Sequence, residues 1–246
     1  MWNCKRISVK LFLFFSIIHL SLLTQMVIAQ EDTLNFYLND YLSSRLRLEG
    51  SMLVGIGLSD HQAGMTTDNE EIVMSGGGGI GGNLILGYGI SPKWDTSIGF
   101  GIQNSSLMPE VENASANFLR TAIMANIKYR VPVSSSGLIN LGGGISYYFP
   151  GDLDIDISDV AGGAHNIYGY DNSIGFQFFG EYEGFFSKDF SWIIGLKYSH
   201  VNYEIRSAQS NGINIPIDQL PAEINDEIGD LDGSGIDLVL SLIYYF

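Results

Sequence analysis

A set of charged residues recurs on one face of the alternating segments of this chain: Arg45, Arg47, Glu49, Asp95, Arg120, Lys128, Arg130, Glu181, Glu183, Lys197 and Asp237. Their sequence neighbours are mostly apolar, and successive side chains on a strand point to opposite faces. Charges that share a buried face must pair, because an isolated buried charge is very costly. Six cations against five anions therefore predict an internal ion-pair network. Its first role is structural, and the same groups could also line a gated ion path.

Other residues could do chemistry of a different kind. Asp152, Asp154 and Asp156 are spaced two apart, which puts them on one face of an extended strand. Asp230 and Asp232 repeat the pattern within a second acidic stretch, Asp226 to Gly233. Divalent cations favour such oxygen clusters. The match to a helix-loop-helix calcium loop fails, because Ile157 stands where Gly is needed and no Glu closes the loop. Each stretch reads first as a solvated acidic loop and second as a loose Ca²⁺ or Mg²⁺ site. Ser199, His200 and Glu204 invite a hydrolase reading. Adjacent strand residues face opposite ways, so Ser199 and His200 do not converge as a nucleophile and base must. Gly76 to Gly79, with Gly81 and Gly82, lacks the Lys-Ser/Thr of a phosphate loop and reads as a flexible loop entering a strand. No cofactor and no catalytic residue is expected.

The elements that would position these residues are strands. Period-two alternation covers Arg45–Leu58, Gly79–Ile90, Trp94–Leu107, Phe118–Val131, Leu138–Phe149, Ser173–Phe186, Phe190–Ile205 and Gly235–Phe246. Connections alternate between short and long. Ser91 to Lys93, Pro132 to Gly137 and Ser187 to Asp189 are short. Ser59 to Gly78, Met108 to Asn117, Pro150 to Asn172 and Arg206 to Ser234 are long. The face opposite the charges is uniformly apolar. In the first strand it carries Leu46, Leu48, Met52, Val54, Ile56 and Leu58, and in the last Ile236, Leu238, Leu240, Leu242, Tyr244 and Phe246. Trp94, Tyr129, Trp192 and Tyr244 fall near the short turns and would form an aromatic girdle. The expected fold is all-β, an eight-stranded antiparallel up-and-down transmembrane β-barrel with short inner turns and long external loops. Eight strands leave a lumen wide enough for side chains or one small ligand, so a plugged barrel is expected.

The first residues address this barrel. Lys5, Arg6 and Lys10 precede a mostly apolar run from Leu11 to Leu23, and Val27-Ile28-Ala29 suits a cleavage site. Residues 1–29 are expected to be a cleaved signal peptide, 30–43 a short periplasmic lead-in, and 44–246 the barrel. Leu34, Tyr37, Leu38, Tyr41 and Leu42 have helical spacing, which fits an interfacial helix or a plain extended lead-in. The only cysteine, Cys4, lies within the signal, so no disulfide is expected. Losing the three signal cations takes the net charge from −15 to −18. That balance argues against a nucleic-acid partner. Most of the excess acid falls in the long loops, and Arg206 is the only cation left near them.

The signal, the strand phrase Leu84-Ile-Leu-Gly-Tyr-Gly-Ile-Ser-Pro-Lys93 and the aromatic closing strand resemble the small eight-stranded outer-membrane barrels of Gram-negative bacteria. Both the OmpA-type barrel domain and the OmpW-like proteins are similar. The resemblance implies residence in the outer membrane among lipid and lipopolysaccharide, and a last strand read by the barrel-assembly machinery. The charged lumen is closer to the OmpA type. An OmpW-like protein would imply a narrow conduit for small hydrophobic molecules, and Leu53, Ile85, Met124, Tyr148 and Val239 keep that alternative open. The leading expectation is a non-enzymatic barrel with a plugged, charge-paired lumen and acidic external loops, in a structural or surface-interaction role. A third expectation is the barrel subunit of a larger envelope complex, with an envelope protein as partner.

Overall fold

The computed structural model describes residues 41–59, 61–65, 71–106, 114–134, 136–158, 164–220 and 229–246. The expected signal peptide and most of the lead-in lie outside these residues. Eight strands form the barrel: β1 (Leu46–Gly57), β2 (Gly79–Gly89), β3 (Trp94–Ser106), β4 (Ser115–Ser134), β5 (Gly137–Asp156), β6 (Ser173–Phe185), β7 (Phe190–His200) and β8 (Gly235–Tyr245). Each pairs antiparallel with its neighbour in sequence. β8 returns to β1, with Val239 opposite Leu53, and closes the barrel. Closure removes the exposed sheet edge that an open sheet would leave.

Alternation sets the two faces. In β8, buried and exposed residues alternate from Gly235 to Tyr245 without a break. Met52, Ile98, Phe178 and Leu242 are each more than 60% exposed on the outer face. The exposed side chains of the barrel portion are uncharged, while Arg47, Glu49, Asp95, Lys128, Arg130 and Asp237 are buried inside. This is the reverse of a water-soluble protein, in which a contiguous apolar surface of this extent would drive association.

Three strands differ from expectation. β4 and β5 run for 20 residues each, well past the barrel at the long-loop end. β7 stops at His200, and after Val201 a new strand, Asn202–Ser210, leaves the barrel wall. It pairs with His165–Tyr170, Ile213–Ile215 and Asp230–Asp232. The stretches read as long loops therefore hold a sheet, which continues into β5 through the pairing of Leu153 with Tyr168. The physical reason is a second core. Phe118, Leu153, Tyr203 and Leu231 are fully buried there, beside Tyr168 and Tyr170. Phe118 meets Tyr203 and Tyr170 edge-on at 5.5 and 5.8 Å, the geometry favoured by aromatic quadrupoles. A two-residue turn with positive φ at Asn211 and Gly212 tips the cap hairpin.

Burial lifts the phenols of Tyr170 and Tyr203 above their ordinary range. A folded value above the unfolded one, about 10 for Tyr, stabilises the cap below that pH, and the contribution is lost as pH rises through the folded value. An alkaline phenolate-absorbance titration should therefore show tyrosines that ionise only as the cap opens. A single ordinary step for every tyrosine would contradict the buried cap core.

Candidate functional site: the charge-lined lumen

At the short-turn end the lumen is stoppered by apolar side chains. Leu42, Leu138, Ile193, Ile243 and Tyr245 are buried together there. Leu42 lies in the turn between Tyr41, which is helical, and β1, and its side chain joins the plug, while Leu34, Tyr37 and Leu38 of the lead-in lie outside the described residues. The Leu42 carbonyl lies against Gly89, where any Cβ would sit 1.9 Å from that oxygen.

Above the plug lies a layer of charge. Asp95 on β3 is fully buried and accepts from Arg47 of β1 at 2.8 Å and Arg130 of β4 at 2.6 Å. Arg47 also pairs with Glu49. Glu49 is completed by the Ser241 hydroxyl at 3.0 Å. Lys128 of β4 meets Glu181 of β6 at 2.9 Å. Higher up, Lys197 of β7 meets Asp237 of β8 at 3.1 Å. Most of these pairs join different strands.

Three members of the expected network depart from it. Arg45 lies outside the lumen, on the rim. Its guanidinium donates to the Phe246 carbonyl at 2.7 Å, pairs with Asp189 at 3.4 Å and stacks 3.8 Å above the Tyr41 ring. With Arg45 removed, the interior holds Arg47, Arg120, Lys128, Arg130 and Lys197 against Glu49, Asp95, Glu181, Glu183 and Asp237, and the signs balance. Glu183 has no cation in salt-bridge range among the described residues. It accepts from Asn140, Ser191 and Tyr245 at 2.9, 2.7 and 2.5 Å. Arg120 likewise has no carboxylate; its partners are the carbonyls of Gly76, Gly77 and Gly233 and the side chain of Gln103.

The space left inside is small. One cavity of about 30 Å³ is lined by Ser51, Asn83, Asn126 and Gln177, among others. A second of about 20 Å³ touches Gln103, Arg120 and Tyr148. Each suits one or two waters, since a single water needs about 10–15 Å³. Leu53, Ile85, Met124, Tyr148 and Val239 are all buried, so the upper lumen is part apolar.

The acidic candidates are taken up locally. Asp154 lies 2.8 Å from His165, and Asp156 accepts from the Ser158 hydroxyl at 2.7 Å. Asp152 and Asp230 are exposed. Asp232 accepts from the Ser234 backbone and the Ser59 hydroxyl. Burial pushes the Asp232 carboxyl up, but these hydrogen bonds outweigh it and hold the group below its ordinary value. Among the described residues no three His, Cys, Asp or Glu side chains gather as a metal site. Ser199 is buried and His200 exposed, so they face apart, as alternation requires. His200 Nδ1 instead lies 2.8 Å from the Ser234 hydroxyl. Among the described residues no carboxylate hydrogen-bonds that ring, which leaves a hydroxyl–imidazole pair without the acid of a triad.

Sequence reasoning missed Asn140, Asp189, Ser191 and Tyr245. Asn140 and Ser191 sit at inward positions of their strands and were legible in principle. Asp189 lies in a short turn, and only the closure of β8 on β1 brings it to Arg45.

No protein-family model and no curated protein matches this chain. Solved structures do. The outer membrane protein OprG from Pseudomonas aeruginosa is 14% identical, with 83% of this chain and 96% of that chain covered at a TM-score of 0.51. Neisserial surface protein A is 10% identical, with 82% and 96% covered at 0.47. AlkL, solved in lipid bilayers, is 9% identical, with 84% and 92% covered at 0.47. At these identities the likeness concerns the fold: the chain has the architecture of the small eight-stranded outer-membrane barrels.

Replacing Lys128 by Met leaves Glu181 as a buried uncompensated charge, so the barrel should lose about 3–5 kcal/mol. The double variant Lys128→Met, Glu181→Leu should recover most of that loss. Urea unfolding of the refolded barrel measures both. Additive losses would show that the two groups are not coupled.

Proposed function

We propose that this chain is a non-enzymatic β-barrel of a bacterial outer membrane, with a closed, charge-paired lumen and an acidic surface cap. One observation carries the reading: the polarity of the fold is inverted. The exposed belt is Leu, Ile, Val, Phe and Met, while the barrel's ionisable groups are turned inward and mostly paired. Only hydrocarbon solvates such a belt without penalty, and a closed barrel is the one sheet architecture that satisfies its backbone there. Trp94 and Tyr244 at the short-turn rim suit the interface where an amphipathic ring is most stable.

The long-loop end supports a surface role. Asp152, Asp171, Glu204, Asp218 and Asp230 are exposed on or beside the cap, with Arg206 as the only Lys or Arg exposed there among the described residues. The cap sheet holds these carboxylates on a framework, which suits a docking platform for an envelope partner better than a flexible brush would. The same charge sits beside lipopolysaccharide phosphates, so divalent cations would be needed to bridge the two. β8, apolar outside and aromatic at its end, is the segment offered to the barrel-assembly machinery.

A second reading, a narrow conduit for small hydrophobic molecules, draws on the buried patch of Leu53, Ile85, Met124, Tyr148 and Val239. Planar-bilayer recording separates the two. The closed reading expects no resolved channel steps from the purified barrel. Stable open-channel currents would overturn it in favour of the conduit.

A further inference from the structure

The long-loop mouth is closed differently from the short-turn mouth. Apolar side chains of the cap core, Met74, Tyr203 and Leu231 among them, meet Ala122 and Tyr148 of the wall there. The segment Gly76 to Gly79 runs against Asp232 and the Gly233–Ser234 turn. Two glycines are required for this approach. A Cβ on Gly77 would lie 1.8 Å from the Ser234 carbonyl, and Gly79 has φ +110° with its Cβ position 1.9 Å from the Asn104 carbonyl. Only a chain without side chains and with access to this region of φ passes here. The glycine run that matched no phosphate loop is a close-packed strap.

Gly79 opens β2 and pairs with Gly55, while the carbonyls of Gly76 to Gly78 are held by side chains. Arg120 donates to the Gly77 carbonyl at 2.6 Å, to the Gly233 carbonyl at 3.0 Å and to the Gly76 carbonyl. The Ser105 hydroxyl takes the Gly78 carbonyl. Arg120 thus joins both sides of the closure through one guanidinium, whose planar fork suits several acceptors at once. A fourth bond runs to Gln103 at 2.7 Å, and Gln103 in turn donates to Asp237 at 2.7 Å, the partner of Lys197. Beneath the strap the 20 Å³ cavity, lined in part by Gln103, Ala122 and Lys197, adjoins the cap core through Ala122 and Tyr148.

We propose that the Gly76–Gly79 strap and the Gly233–Ser234 turn form a lid on the upper lumen, latched by Arg120, whose release admits water and small polar solutes from the long-loop side. The physical basis is the placement of bonds. Hydrogen bonds to a charged group are stronger than neutral ones, and here they converge on one residue. A strap of glycines has no side chains of its own to anchor it. Arg120 lacks a carboxylate partner, so it is free to serve neutral carbonyls on two separate segments.

This inference rests on the reading that the barrel spans a membrane with its cap outside, and its test separates the two. Apart from Cys4 the chain has no cysteine, so single cysteines report cleanly. Intact cells expressing Ala122→Cys, Ile193→Cys or Asn211→Cys, each with and without Arg120→Gln, are treated with a small membrane-impermeant methanethiosulfonate. Asn211→Cys, on the cap turn, should label in both backgrounds; failure there would sink the membrane placement itself. Ala122→Cys, under the lid, should label at least roughly tenfold faster with Arg120→Gln, since losing even one such bond is worth about that factor. Ile193→Cys, in the short-turn plug, should stay unlabelled. Equal rates at Ala122→Cys, with Asn211→Cys labelled, overturn the latch. Labelling of Ile193→Cys would show general loosening and overturn it as well. Should Arg120→Gln not assemble, Gln103→Leu keeps the guanidinium and removes one of its acceptors, and the same comparison then requires a smaller acceleration at Ala122→Cys.

Discussion

A charge cannot be left alone in a low-dielectric interior, and this structure is organised around that constraint. The outer belt excludes charge, so every ionisable side chain of the barrel strands must be satisfied inside. Most of the pairs that do so join different strands. Asp95 of β3 holds Arg47 of β1 and Arg130 of β4, Lys128 of β4 holds Glu181 of β6, and Lys197 of β7 holds Asp237 of β8. The pairs therefore do more than neutralise. A slip of one residue between two strands would turn these groups into the apolar belt. The network fixes register with a severity that Leu or Val contacts alone could not match.

Much of the barrel was legible in the sequence for the same reason. Period two is a local property, and eight segments show it. Membership of the lumen followed from it for Arg47, Glu49, Asp95 and Asp237. What was not legible depended on geometry without a sequence period. Arg45 shares the alternation of its strand, yet it stands one residue before β1, where the wall ends and Asp189 becomes the nearer partner. The cap was hidden because its strands are short, such as Ile213–Ile215, and bounded by polar loops. Its core draws on residues as far apart as Phe118 and Leu231. Arg120 was placed inside correctly but given the wrong kind of partner, because backbone carbonyls carry no sequence signal at all.

Arg120 and Glu183 form a second class of interior charge. Each is surrounded by neutral hydrogen-bonding groups, Arg120 toward the long-loop end and Glu183 toward the short-turn end. Such shells replace hydration with fixed dipoles, which demands close geometry but leaves the charge uncancelled at a distance. The two ends of the lumen are in consequence unlike. The lower holds apolar packing with an anion behind it, and the upper holds carbonyls gathered around a cation beside the apolar core of the cap. His200 reaches this upper closure through the Ser234 hydroxyl.

The seam between β1 and β8 has a kinetic meaning. The contact from Arg45 to Phe246 spans 201 residues, and that from Tyr41 to Asp189 spans 148. The former cannot form until the last strand has been synthesised and brought round to the first. Contacts of such sequence separation carry the largest loop-closure entropy and make folding slow. Until that moment both flanking strands would present unpaired backbone to hydrocarbon, which no membrane tolerates. A chain with this seam cannot enter the bilayer strand by strand as it emerges. It must be kept soluble as a whole, and its insertion and its closure must be one cooperative event.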